Sequence, residues 1–409
     1  LDGYLDLVGL DGELFDRQPV DWQGFEQMLD VVSISLRREE PAGRADGGGD
    51  RRAREKHRTL PRLLRRSTGV RASGPVTRSV FQDRWAQAGL AEPVPEEPES
   101  TCRDCAMLGE EGGGFTFRPD TKCCTYLPSL SNFLVGAILA DPSTDDTTLR
   151  GRRSVEERIA RGDEATPLGL DVRADYRSRF DGDRFENFGR RPELRCPHYL
   201  ADTGACGIWR HRNGVCATWY CKHVRGATGR SFWASLQALL SAVETDLAFW
   251  CLGELGLDPD SLRGLLLPGA RVEAREAWGS WRGREGEFYR RTTALVAPLG
   301  WDEVLARTGP RVHLLVGVVR SARARLATRE VPPVLVPGRF QVAASSEGAC
   351  RVIAYSPYDP VEIPLPLLES LAAFDGRPTG EVVAELAGRI ELDAETLSTL
   401  VDFGILEAP

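Results

Sequence analysis

Eight of the ten cysteines fall into two groups: Cys102, Cys105, Cys123 and Cys124, then Cys196, Cys206, Cys216 and Cys221. Four thiolates per group is the number that a tetrahedral zinc ion or one cubane iron–sulfur cluster requires, so these residues point to metal binding. In Cys102-Arg103-Asp104-Cys105 the two-residue spacing lets both sulfurs converge on one metal while the backbone amides between them turn inward. Cys123 and Cys124 are adjacent, and neighbouring side chains diverge. They reach different irons or different metal sites more naturally than one zinc. Gly204 and Gly207 flank Cys206, leaving room for backbone to approach a metal. The other two, Cys251 in Phe249-Trp250-Cys251-Leu252 and Cys350 in a strand-like alternation, read as small buried hydrophobes.

The ligand types favour an iron–sulfur cluster, with zinc as the alternative. The Cys196-Pro197 step, the adjacent pair and the aromatic residues Trp209, Trp219 and Tyr220 suit a cluster that gains from exclusion of water. In that reading Trp209 and Trp219 shield the site, and Lys222 and Arg210 balance its charge. His198, His211 and His223 lie among the cysteines and are expected to support ligands or stay solvated, since eight thiolates already complete two sites.

Metal is preferred over disulfides because the start, Leu1-Asp2-Gly3-Tyr4, has no basic region followed by an apolar stretch. The expected location is the cytoplasm. No apolar run approaches the roughly 18 residues of a membrane span. A net charge of −8 argues against attraction of the whole chain to nucleic acid or an anionic membrane. The sequence has no glycine-rich nucleotide loop after a strand, no nucleophile elbow and no His-Glu-x-x-His helix.

The elements that must position the cysteines are expected to be mainly α. The fold class is an irregular cysteine-rich metal-binding domain with a helical bundle, followed by a small α+β winged-helix-like domain. Residues 1–36 read as a helical segment, with Trp22, Phe25, Met28 and Leu29 at helical spacing. Residues 37–100 read as a disordered linker, polar and rich in arginine, with Glu92 to Glu99 closing it. Its basic set, Arg51, Arg52, Arg54, Lys56, Arg58, Arg62, Arg65 and Arg66, lacks the interleaved aromatics of a nucleic-acid contact. The cysteine domain spans 101–232, with a buried helix at 131–140 and a capping-box spacing at Ser154-Val155-Glu156-Glu157. Phe232, Trp233, Leu236, Leu239, Leu240, Val243 and Leu247 mark one face of a long helix that opens a helical extension at 233–330. At 331–409 a hairpin around Ser345-Ser346-Glu347-Gly348 precedes three helices, the second capped by Thr379 and the third by Asp393, and a closing strand at Ile405-Leu406.

Two resemblances attach to these residues. Two cysteines, a close pair, Cys196-Pro197, then Gly204-Ala205-Cys206-Gly207-Ile208-Trp209 with Arg212, and Cys216 followed by Cys221, resemble the YkgJ-like family of eight-cysteine, zinc- or iron-chelating proteins. Here seventeen residues, Ala106 to Lys122, separate Cys105 from the pair, where that family has a compact opening. The flagellin lysine N-methylases carry a similar cysteine domain, so the resemblance also implies a methylase-like enzyme as an alternative. The C-terminal stretch, with Phe374-Asp375-Gly376-Arg377-Pro378-Thr379 and Gly404-Ile405-Leu406, resembles the PqqD-like peptide-recognition fold. That resemblance implies a peptide or protein partner at residues 331–409. Four basic residues against twelve acidic ones from Val331 onward disfavour DNA there. The expected function is thus an iron–sulfur protein with a redox or protein-modification role; the alternative is a zinc scaffold that recruits a partner.

Overall fold

The computed structural model describes residues 65–66, 80–90, 93–95, 97, 105, 107–108, 116–162, 164–257, 277–346 and 348–409. The chain divides into two compact units, residues 1–58 and 59–409, and every described residue belongs to the second. The helix expected within 1–36, basic positions 51–62, Cys102 and Gly112 to Gly114 lie outside the described residues. The architecture is mainly helical, with small antiparallel sheets. No helix among the described residues is long and apolar enough to cross a membrane.

Within residues 37–100, which composition suggests are a disordered linker, the described residues include ordered elements. Arg65–Arg66 form a short strand, β1, and Val80–Leu90 forms helix α1. Phe81, Trp85, Ala86 and Leu90 share one helical face and are buried, with Phe81 and Trp85 packed edge-on to Phe133. The polarity of the whole stretch concealed one amphipathic helix within it. Glu97, in the acidic Pro-rich run, accepts hydrogen bonds from the Val224 amide at 2.7 Å and the Trp233 indole at 2.8 Å. The packed unit therefore starts well before Thr101.

Strand β2 (Leu130–Ser131) leads into α2 (Asn132–Ala140), whose residues 132 to 139 are all buried, as the apolar run predicts. Helix α3 (Asp146–Arg161) starts at Asp145, whose carboxylate accepts the Thr148 amide at 2.9 Å. Ser154, the suggested helix start, lies within α3 instead. Strands β3 (Ala165–Thr166) and β4 (Gly169–Leu170) complete a three-stranded sheet in the order β2-β4-β3. Helix α4 (Ala174–Gly182), the hairpin β5 (Tyr199–Leu200) and β6 (Ala205–Cys206), and α5 (Gly214–Thr218) carry the second cysteine group forward.

Helix α6 (Gly226–Glu254) runs through the boundary expected between residues 232 and 233. One core joins its Phe232, Trp233, Leu236 and Val243 to Phe133 and Leu134 of α2, so the cysteine region and the helical extension are not separable units. Helices α7 (Glu285–Val296), α8 (Trp301–Arg307) and α9 (Pro310–Ala327) complete the bundle.

The C-terminal residues have their own core around Val352, Ile363, Leu367, Phe374, Val382, Leu400 and Ile405. Strand β7 (Val336–Pro337) is followed by the expected hairpin, β8 (Gln341–Ser346) and β9 (Ala349–Ile353), and by a strand the sequence did not reveal, β10 (Val361–Pro364). Pro360 precedes β10 and Pro364 ends it, and the two disguise it as loop. Helices α10 (Leu365–Ser370), α11 (Thr379–Leu386) and α12 (Ala394–Asp402) follow, and β11 (Leu406–Glu407) pairs with β7. Asp393 caps α12 as expected, accepting the Thr396 amide at 2.7 Å. Thr379 is instead the first residue of α11, its hydroxyl donating to the Pro332 carbonyl at 2.9 Å. Arg225 secures this portion to the bundle: Nε and Nη2 reach the two Asp402 carboxylate oxygens at 2.5 Å, and Nη1 reaches the Leu326 carbonyl at 2.6 Å.

Candidate metal centre

The two cysteine groups meet. The Cys196 amide donates to the Cys124 carbonyl at 2.7 Å, so the adjacent pair of the first group lies against the start of the second. A turn holds Cys123 and Cys124, with the Cys124 amide donating to the Thr121 carbonyl at 3.0 Å and Lys122 in a left-handed backbone conformation at φ 48°. Cys206 is paired across the hairpin with Tyr199, and Gly204 turns that hairpin at φ 65°, a conformation glycine adopts without strain. Cys216 sits in α5, its amide capped by the Asn213 side chain at 3.0 Å, and its carbonyl accepts from Arg212 Nη1 at 2.9 Å.

Electrostatics reports the same convergence. Burial pushes the Cys196 thiol well up, and the neighbouring Cys206 and Cys216 thiols add to it. Burial likewise raises the Tyr199 hydroxyl to about 12, reinforced by Cys124, Cys123 and Cys105. The Tyr176 hydroxyl is raised by burial and then by Cys196 and Cys124. Cys105, Cys123, Cys124, Cys196, Cys206 and Cys216 thus border one locus around Tyr199 and Tyr176. Cys221 is buried beyond Trp219 and Tyr220, and Cys102 lies outside the described residues. Among the described residues, no three His, Cys, Asp or Glu side chains close on one point as a metal shell. The donor set suits a thiophilic metal in kind; the described side chains do not form a finished single-ion site.

The surroundings supply positive charge and aromatic rings, while Cys105, Cys123, Cys124, Cys206 and Cys216 stay half-buried. Lys122, Arg158, Arg212 and Lys222 are all buried. The Lys122 ammonium donates to the Gly204 carbonyl at 3.0 Å, bridging the paired cysteines to the hairpin. Arg210, expected to balance charge, is instead 58% exposed and stands 4.0 Å from Asp141. Trp209 carries the Arg212 guanidinium on its face, 3.4 Å from the ring centroid. Trp219 joins Phe188 and Tyr358, with ring centroids 5.3 and 6.3 Å away, and Phe117 packs on Phe188. Tyr358 belongs to the loop between β9 and β10, so the C-terminal portion forms part of the aromatic cover. A sequence separation of this size leaves no local signal for it.

The three histidines are held by serine, arginine and aspartate side chains. His198 is fully buried, with Nδ1 2.7 Å from Ser154 Oγ and Nε2 3.2 Å from Arg158 Nη1. Arg158 can only donate, so Nε2 accepts and the proton sits on Nδ1, donating to Ser154. Both nitrogens are occupied, and burial with the Arg158 charge lowers the imidazole to about 3. Ser154, misread as a cap, is a tertiary contact. His211 Nε2 faces the Asp141 carboxylate at 2.7 Å, while the His223 amide donates to Asp359 at 3.4 Å.

The loop after Cys206 is pressed against α3. A Cβ on Gly151 would stand 1.9 Å from the Gly207 carbonyl oxygen. Both sides are backbone, so neither gives way cheaply. Gly151→Ala is expected to cost about 1–3 kcal/mol or more by overpacking, and to speed alkylation of Cys206. An unchanged urea midpoint with an unchanged labelling rate at Cys206 would contradict this packing argument.

Neither a family model, nor a curated protein, nor a solved structure matches this chain.

Proposed function

We propose that the cysteine locus is a metal centre of the iron–sulfur type, used in electron transfer or protein modification, in a YkgJ-like arrangement. The Cys196 amide to Cys124 carbonyl hydrogen bond carries this reading, because it joins the two cysteine groups at one place. Two remote quartets would suit two structural zinc ions. A shared locus with an adjacent pair suits a polynuclear cluster, in which neighbouring thiolates reach different irons. Cys105, Cys123, Cys124, Cys196, Cys206 and Cys216 would hold the group, with Cys102 and Cys221 completing the set of eight. When bound, a cluster would supply a one-electron couple. The chain's own residues would offset thiolate charge, with Lys122, Arg212 and Lys222 buried near the cysteines, and the Trp219, Phe188 and Tyr358 cluster would give one side of the site an aromatic wall.

The C-terminal portion is proposed to be a winged-helix-like, PqqD-like module that recruits a peptide or protein. Its strand, hairpin and three-helix order, and its contact with the aromatic cover through Tyr358, support that role.

Anaerobic purification followed by iron, sulfide and zinc analysis and a visible spectrum tests the centre. The expected result is brown protein with labile sulfide, and loss of colour in Cys124→Ser and Cys196→Ser. Colourless protein with stoichiometric zinc and no sulfide would replace the cluster with a zinc scaffold, whose metal contributes folding free energy and no redox chemistry.

A further inference from the structure

Helix α9 carries an outer face that stays open to solvent. Val312, Val316, Val319 and Ala322 turn into the core shared with α1 and α6, at the spacing a helix needs to bury one side. On the other side Leu314 is 60% and Val318 48% exposed, one turn apart, and the exposed Ser321 and Arg325 continue the same stripe. Gly317 lies beside them, and a Cβ there would meet nothing within 4 Å. A glycine inside a helix weakens it relative to alanine, and here no packing among the described residues calls for one. Set next to two exposed branched side chains, it leaves a notch that a second helix can approach closely.

Charge decides what that helix carries. From Pro310 to Arg329 the chain has five arginines, Arg311, Arg320, Arg323, Arg325 and Arg329, and neither aspartate nor glutamate, in a protein of net charge −8. Asp246 of α6 meets the N-terminal end, accepting the Gly309 amide at 2.8 Å, while Arg325 and Arg329 stand exposed at the other end. A second copy of this face fits poorly. Antiparallel pairing would bring Arg325 of one copy toward Arg311 of the other, and parallel pairing would stack arginine on arginine. An anionic bilayer fits poorly too, because the stripe offers two large apolar side chains and no aromatic residue, and the chain as a whole is negative.

We propose that the face of α9 bearing Leu314 and Val318 is a docking surface for an acidic amphipathic helix of another protein. The apolar side chains of that helix pack over Leu314, Gly317 and Val318, and its carboxylates meet Arg325 and Arg329. The apolar contact supplies affinity, and the arginines select the sign of the partner and speed its approach. Neither a bound metal nor a peptide at the C-terminal module is required.

The test uses the full chain and fluorescence anisotropy. The probe is a fluorescein-labelled, amidated peptide of three Glu-Leu-Ala-Glu-Leu-Glu-Ala repeats, and its control carries Lys in place of every Glu. The acidic peptide is expected to bind saturably and more weakly as salt rises, and the control to bind at least about tenfold more weakly. Leu314→Ser/Val318→Ser and, separately, Gly317→Leu should each weaken the acidic peptide by at least about tenfold, with the thermal midpoint not lowered in the Gly317 variant because the position is open. Arg325→Glu/Arg329→Glu should weaken it as well, and circular dichroism checks that each variant folds. An acidic peptide that fails to bind, or that binds Leu314→Ser/Val318→Ser as tightly as wild type, would overturn the docking surface. Self-association in sedimentation that Leu314→Ser/Val318→Ser abolishes would give the face to a second copy instead. Binding to phosphatidylcholine–phosphatidylserine vesicles that the same variant abolishes would give it to a membrane.

Discussion

Glu164→Ala is expected to destabilise the protein by about 3–5 kcal/mol, the usual penalty for leaving a buried charge without its partner. Arg158 is completely buried, and Glu164 is nearly so. The guanidinium donates from Nε to the Glu164 carboxylate, from Nη1 to His198 at 3.2 Å and from Nη2 to the Asp171 carbonyl at 2.8 Å. Without Glu164 two neutral acceptors face an undiminished positive charge. The consequence should reach the cysteines, because Arg158 fixes the ring of His198, two residues beyond Cys196. If the cysteines hold metal as proposed, the variant is therefore expected to lose it along with stability. Arg158→Met/Glu164→Leu, which removes both charges, should cost much less than Glu164→Ala alone. Urea unfolding of the single and double variants makes the comparison. A single variant within about 1 kcal/mol of wild type, the range of exposed pairs, would show that the ion pair does not hold α3 to the Cys196 segment.

The same contacts show what the sequence could and could not reveal. Helix α2 was legible because an apolar run from 131 to 140 has only one use, and α12 because Asp393 and the stripe Leu397, Leu400, Val401 agree. Such signals are local. Helix α1 was not legible, since four buried residues, Phe81, Trp85, Ala86 and Leu90, sit in a polar stretch and gain stability only by packing on distant elements, α2, α6, α8 and α9. Ser154 satisfied a helix-start spacing, yet its hydroxyl serves His198, a contact that no sequence window includes. The cysteines were legible as candidate ligands by type. Their division into two quartets was a statement about chain order, and the chain folds the Cys123-Cys124 turn onto Cys196. Tyr358 and the buried cations Lys122 and Arg158 complete the surroundings from distant positions.

Glu244 gives the fold a pH dependence of opposite sense to ordinary acid unfolding. It lies in α6, 5% exposed, and burial pushes its carboxyl from 4.5 up to about 8, although hydrogen bonds from Gln82 and Gly214 act in the other direction. Between these values the unfolded chain has released the proton while the folded chain retains it. The stabilisation is therefore complete below pH 4.5 and is lost as pH rises through about 8. At 1.36 kcal/mol per unit the loss amounts to up to about 5 kcal/mol. Glu244→Gln keeps an acceptor oxygen for the Gln82 amide at 2.7 Å and the Gly214 amide at 2.8 Å, and cannot ionise. Its stability relative to wild type should therefore grow steadily between pH 5 and pH 8.5, measured as urea midpoints across that range. The cysteine site shares in the effect, because Gly214 opens the helix that carries Cys216: alkylation of Cys216 should accelerate with pH more steeply in wild type than in Glu244→Gln. Parallel stability curves for the two proteins would mean that Glu244 is already ionised in the folded state, with water or a cation reaching it, and would remove this link between α6 and the cysteines.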